Sequence, residues 1–222
     1  MKKITTVLFD LDGTLLDTLD DLVASVNYAL ETNHLPQRSK LEVRRMLGNG
    51  VRALMKAAVP ADLSSTDFES VFDCFRSYYM EHSLNTTRPY DGIPELLEAL
   101  KRRHYKIGIV SNKMDEAVQE LNQKFFSGYV DVAVGESPTI HRKPASDGIM
   151  FALNSFGSRL DEAVYVGDSE VDLETARNAH ITCLSATWGF RDTTYLLAQG
   201  ADHLVTVPSD ILQFVEQGRE LL

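Results

Sequence analysis

Three short apolar runs stand out along the chain: TTVLFDLDG at 5–13, YKIGIVSN at 105–112 and AVYVGDS at 163–169. Each is rich in β-branched residues and ends in a polar or glycine-containing turn, which predicts a buried strand. Val130–Val134, Thr182–Ala186 and His203–Val207 repeat the pattern more weakly. Amphipathic stretches separate most of these runs, and that alternation predicts a parallel sheet covered by helices, an α/β class.

Between the first strand and Pro89 the period changes. Leu19, Leu22, Val23, Val26, Ala29 and Leu30 recur at helical spacing, as do Phe68, Val71, Phe72, Phe75, Tyr78 and Tyr79, with no strand among them. Thr18 with Asp21, and Ser39 with Glu42, have the spacing of a capping box. Pro89, Gly92 and Pro94 then mark the return to alternation. The layout that follows is a core of residues 1–16 and 89–222 with an all-helical cap at 17–88 inserted into it.

Composition narrows the function. The chain has 222 residues, 44% hydrophobic and 24% charged, an ordinary globular balance. A net charge of −10 argues against nucleic acid or an anionic membrane surface as a partner, so an anionic substrate would need a local positive site. The opening MKKITTVLFDLDG reaches Asp10 and Asp12 before any apolar run is long enough for a signal peptide, and a cytoplasmic location is the expectation. Cys74 and Cys183 stand far apart without a CxxC partner and read as reduced core thiols.

The candidate chemistry sits at strand ends. Asp10-Leu11-Asp12-Gly13-Thr14 closes the first strand, whose alternation would put both carboxylates on one side, although taken alone the pentapeptide reads more readily as a plain Asp12-Gly13 turn. Gly167-Asp168-Ser169-Glu170-Val171-Asp172 closes another, at the carboxyl edge where open α/β sheets bind ligands. Aspartates gathered from two strand ends repel one another unless a cation is present, and an all-oxygen donor set suits Mg2+ rather than Zn2+. Ser111-Asn112 offers a hydroxyl and amides at a helix start, and Arg142-Lys143-Pro144 offers a compact cation; separately each is also an ordinary cap or a surface charge.

The order DLDGT, VSN, RKP, GDSEVD resembles the haloacid dehalogenase superfamily over essentially the whole chain, in its branch with a helical cap inserted into a Rossmann-like core. That resemblance implies a Mg2+-dependent phosphatase. Asp10 would be the nucleophile and Asp12 the acid–base group, with Lys143 completing the catalytic set. Asp10, the Asp12 carbonyl and Asp168 would hold the metal with Asp172 in support. Thr14, Ser111, the Asn112 amide and Lys143 would hold the phosphoryl group. An aspartate at position 12 points to phosphate transfer rather than dehalogenation, since a carbon–halogen bond needs no leaving-group acid.

In the cap, Gly48-Asn49-Gly50 lies among Arg44, Arg45 and Arg52, and reads either as a seat for a second anionic group or as an interhelical turn. It is similar to the phosphoglycolate phosphatase group, which makes a small phosphorylated acid the expected substrate. Pyrophosphate and sugar phosphates, or a phosphomutase, are the alternatives, and a non-catalytic binding module is a remote one. The chain is expected to be a monomer or a homodimer.

Overall fold

A computed structural model of the chain describes residues 3–217. Met1, Lys2 and residues 218–222, the outer ends of the predicted core segments, lie outside the described residues. The chain falls into two compact units, one of Met1–Leu16 with Pro89–Leu222 and the other of Asp17–Arg88. In chain order the elements are β1 (Thr6–Phe9), β2 (Leu16–Asp17), α1 (Leu19–Thr32), α2 (Lys40–Met46), α3 (Gly50–Ala58), α4 (Ser65–His82) and β3 (Arg88–Pro89). There follow α5 (Ile93–Arg102), β4 (Lys106–Met114), α6 (Asp115–Phe125), β5 (Val132–Glu136), α7 (Asp147–Phe156) and β6 (Ala163–Gly167). The last are α8 (Glu170–Asn178), β7 (Thr182–Ala186), α9 (Thr193–Ala198), β8 (Leu204–Val205) and α10 (Pro208–Gln217).

The first unit is built on a parallel sheet in the order β5-β4-β1-β6-β7-β8. Its central strands are apolar because they are covered twice: every residue of β1 and β6 is buried. The α/β class read from the pattern therefore holds, and the sheet grows outward from β1 in two directions. Parallel crossovers are right-handed, so the helices of the two halves lie on opposite faces. The strand order reverses at β1, which leaves a crevice at the carboxyl ends of β4, β1 and β6.

The second unit is helical. Leu22, Val26, Ala29 and Leu30 of α1 and Phe68, Val71, Phe72, Phe75 and Tyr79 of α4 are buried, as their spacing predicts. Ser39 and Glu42 form the capping box that opens α2. Thr18 and Asp21 do not form theirs: Thr18 makes no side-chain cap, and the Asp21 carboxylate instead accepts from the backbone N–H and hydroxyl groups of Thr86 and Thr87 at 2.7–3.1 Å. A contact across that sequence distance outcompetes the local one because it satisfies four donors at once. The Arg52 guanidinium pairs with both carboxylate oxygens of Glu69 and lies over the rings of Phe68 and Phe72. Among the described residues no helix is long and apolar enough to cross a membrane.

Candidate active site

The site belongs to the first unit and begins where β1 stops. The strand ends at Phe9, and the Asp10 backbone N–H donates to Val166 O of β6 at 2.8 Å, so the neighbouring strand fixes where Asp10 leaves the sheet. At Gly13 the chain takes φ +86°, and a Cβ there would strike the Asp168 carboxylate. Asp10, Asp168 and Asp172 are all buried, and each presents a carboxylate oxygen within 4.8 Å of the others.

Neighbouring groups aim these carboxylates. Asp168 accepts from the Thr14 hydroxyl at 3.2 Å and from the Phe190 N–H at 2.6 Å. Asp172 accepts from Lys143 Nζ (2.7 Å) and Tyr165 OH (3.0 Å) on one oxygen, and from Ser169 N (3.1 Å) and Oγ (2.6 Å) on the other. The Ser169 contacts also form the capping box of α8, so helix start and site share one carboxylate.

Two buried ammonium groups divide the acidic cluster. Lys143 Nζ lies 2.8 Å from Asp10 and 2.7 Å from Asp172. Lys113 Nζ lies 3.1 and 3.2 Å from the two oxygens of Asp12. Lys143 is held through its own backbone: its N–H donates to Asn112 Oδ1 at 2.6 Å, and Asn112 Nδ2 donates back to its carbonyl at 3.1 Å.

Burial, reinforced by Asp172 and Asp168, holds the Asp10 carboxyl well above the ordinary aspartate range despite Lys143. Burial and then Asp172 push Asp168 up to about 7. Burial opposes the Lys143 charge, but Asp10 and Asp172 outweigh it and raise that group. Fully ionised, the four carboxylates would face two ammonium groups, a deficit of two positive charges that would suit a divalent cation. The donors are oxygens throughout, which suits a hard cation.

Residues 7–186 match the family model for haloacid dehalogenase-like hydrolases. The chain belongs to that family. It is 32% identical to a phosphoglycolate phosphatase of Aquifex aeolicus, over 95% of this chain and 96% of the relative. It is 30% identical both to an N-acetylmuramic acid 6-phosphate phosphatase of Pseudomonas aeruginosa (97% and 96% covered) and to a pyrophosphatase, PpaX, of Listeria innocua (96% and 97%). A solved structure from Lactobacillus delbrueckii, provisionally described as a phosphoglycolate phosphatase, superimposes with a TM-score of 0.92 at 32% identity, covering 96% of this chain and 99% of that one.

In this haloacid dehalogenase-like hydrolase the motif residues Asp10, Asp12, Thr14, Ser111, Asn112, Lys143, Asp168 and Asp172 come together at one sheet edge, but two local expectations change. Strand alternation does not set Asp10 and Asp12, because β1 has already ended; their carboxylates turn to different lysines. Ser111 and Asn112 do not begin a helix: β4 runs on to Met114, and its pairing with β5 shifts register between Val110 and Met114. The Asn112 side chain is spent on the backbone of Lys143. Cys74 and Cys183 are free and half-buried; Cys183 packs against the core of the first unit, and burial raises its thiol.

Gly48, Asn49 and Gly50 join α2 to α3 in the helical unit, with Gly48 at φ 115° and Gly50 at φ 78°. Lys113 and Tyr165 belong to the site without belonging to its sequence motifs. The Tyr165 hydroxyl receives from Lys143 Nζ, and its proton faces Asp172 Oδ1 and Val110 O, each contact 3.0 Å. A tyrosine inside a buried strand is itself a signal, since its hydroxyl must find a partner. Trp188 Nε1 donates to Thr14 O at 3.0 Å, which commits this side chain to the loop after β1.

Proposed function

We propose that the chain is a magnesium-dependent phosphatase that hydrolyses a small phosphate monoester through a phosphorylated Asp10. The observation that carries the reading is the convergence of Asp10, Asp168 and Asp172 within 4.8 Å at the switch point of the sheet, beside an Asp12 held by a separate cation. When bound, Mg2+ offsets the crowded carboxylates and the phosphoryl charge. Asp10 and Asp168 would hold it with the Asp12 carbonyl. Asp172 would support it from behind, because four protein donors already occupy its two oxygens.

An Asp10 oxygen attacks phosphorus while the bond to the ester oxygen breaks, and Asp12 gives that oxygen its proton. A water then attacks the phosphorus, Asp12 takes back a proton, and the bond from phosphorus to Asp10 breaks, releasing inorganic phosphate and restoring both carboxyl groups. Ser111, the Asn112 backbone amide and Lys143 hold the phosphoryl oxygens, a fixed arrangement in which one donor can be worth about 3 kcal/mol of barrier, while Thr14, whose hydroxyl donates to Asp168, supports that carboxylate instead.

The favoured substrate is a small phosphorylated acid such as phosphoglycolate, supported by the Aquifex relative, with Gly48, Asn49 and Gly50 as the candidate seat for its second anionic group. Pyrophosphate and sugar phosphates are the competing readings, supported by the PpaX and N-acetylmuramic acid 6-phosphate relatives. Phosphate release from a panel of these compounds decides among them. Phosphoglycolate is expected to give the highest kcat/KM with Mg2+, EDTA to abolish turnover, and Asp10→Asn to lower kcat by roughly a thousandfold or more. Turnover by Asp10→Asn at the parent rate would exclude the covalent route.

A further inference from the structure

We propose that Lys113 is a positioning residue: its ammonium clamps the Asp12 carboxylate in the orientation that proton exchange with the departing and attacking oxygens requires, and keeps that carboxylate out of the metal-binding triad. The inference rests on the phosphatase reading above. Asp12 follows Asp10 by two residues and would give the cation its backbone carbonyl, so its carboxylate has to be directed elsewhere. An oxygen bound to a cation is a poor proton carrier, so the acid–base group must be restrained from the other side.

Lys113 supplies that restraint symmetrically, with Nζ at 3.2 Å from Oδ1 and 3.1 Å from Oδ2 of Asp12. The Asp12 oxygens accordingly lie outside the group that Asp10, Asp168 and Asp172 form. Lys143 spans Asp10 and Asp172, and Lys113 pairs with Asp12.

The exposure of the pair fits a positioned acid. The Lys113 side chain is 5% exposed and that of Asp12 is 22%, so the clamp is buried while the carboxylate stays reachable. Lys113 is itself fixed at the end of β4, where its N–H donates to Ser111 Oγ at 3.3 Å in the stretch of shifted register. Burying an ammonium in an ion pair seldom adds net stability, so stability alone is a weak reason for this lysine.

A group that positions a leaving-group acid matters more as the leaving oxygen becomes more basic. The test compares phenyl phosphate with p-nitrophenyl phosphate, which share a ring and differ in the acidity of the phenol. The readout is kcat/KM, which covers the chemistry only through departure of the phenol. Lys113→Met is expected to lower kcat/KM on phenyl phosphate about 10-fold or more beyond its effect on p-nitrophenyl phosphate. Lys113→Arg, which keeps the charge in another geometry, should fall between, and it supplies the same ratio if Lys113→Met does not fold.

Asp12→Asn should show the same selectivity for the poorer leaving group. Equal losses on both esters in the Lys113 variants would overturn the positioning role and leave the lysine a structural counterion. Separately, undiminished hydrolysis of either ester by Asp10→Asn would sink the covalent route on which the inference rests, and a parent protein that releases no phosphate from either ester with Mg2+ would sink the phosphatase reading, whatever Lys113 does.

Discussion

Asp168 shows how a single side chain can make a site unstable without its ion. Its carboxyl is raised to about 7, first by burial and then by Asp172, whereas in an unfolded chain it titrates near 3.9. Between those values the folded, metal-free protein binds the extra proton, so its stability falls as pH rises through that window and levels off above it. Asp10 is shifted in the same direction. Thermal melting in EDTA should therefore show a Tm that declines from about pH 4 to pH 7, and added Mg2+ should restore most at the upper end. Asp168→Asn is expected to flatten that decline, melt about 2–4 °C or more above the parent in EDTA at pH 8, and lose the response to Mg2+.

Gly189 tests the same carboxylate from outside. A Cβ there would collide with Gly13 O and with Asp168, and backbone cannot step aside as a flexible side chain can. Gly189→Ala should lower the Tm and also weaken Mg2+ affinity roughly 10–100-fold, measured by activity against metal concentration.

At the scale of elements, strands were legible in the sequence wherever burial on both faces forced apolar residues onto most positions, as in β1 and β6. The α1 and α4 stripes were legible for the matching reason, one buried face at helical spacing. What stayed hidden depends on partners that only the fold supplies. The tie between Asp21 and Thr86–Thr87 joins the start of α1 to the segment before β3, and no local pattern marks it. Lys113 was hidden in the same way, because a lysine after Ser-Asn reads as an ordinary helix start until β4 extends past it.

Burial alone would raise the Asp21 carboxyl, but the hydrogen bonds from Thr86 and Thr87 lower it overall. Its contribution is therefore present at neutral pH and lost as pH falls through the folded-state value. Asp21→Ala should cost about 2–4 kcal/mol in urea unfolding at pH 7, and the gap to the parent should narrow toward acid pH. A constant gap across pH would mean that the carboxylate charge is not what holds the segment.

For the whole molecule, the motif order announced which strand ends carry chemistry, and the sheet order explains why they meet. β4 and β6 flank β1 directly, so their carboxyl ends open onto one crevice. Spacing along the chain could not show this, since Asp10 and Lys143 gain their 2.8 Å contact only through the β5-β4-β1 register.

That register also dictates an order of assembly. β1 is translated first yet sits in the middle of the sheet, so its hydrogen-bonding edges have no neighbours until the whole of α1–α4 and then β4 have been synthesised, and its second edge must wait for β6. A nascent chain therefore carries an apolar, strand-forming segment without its sheet partners through much of its own production, the kind of segment that chaperones guard. The helical segment, whose contacts are closer in sequence, can fold during that delay.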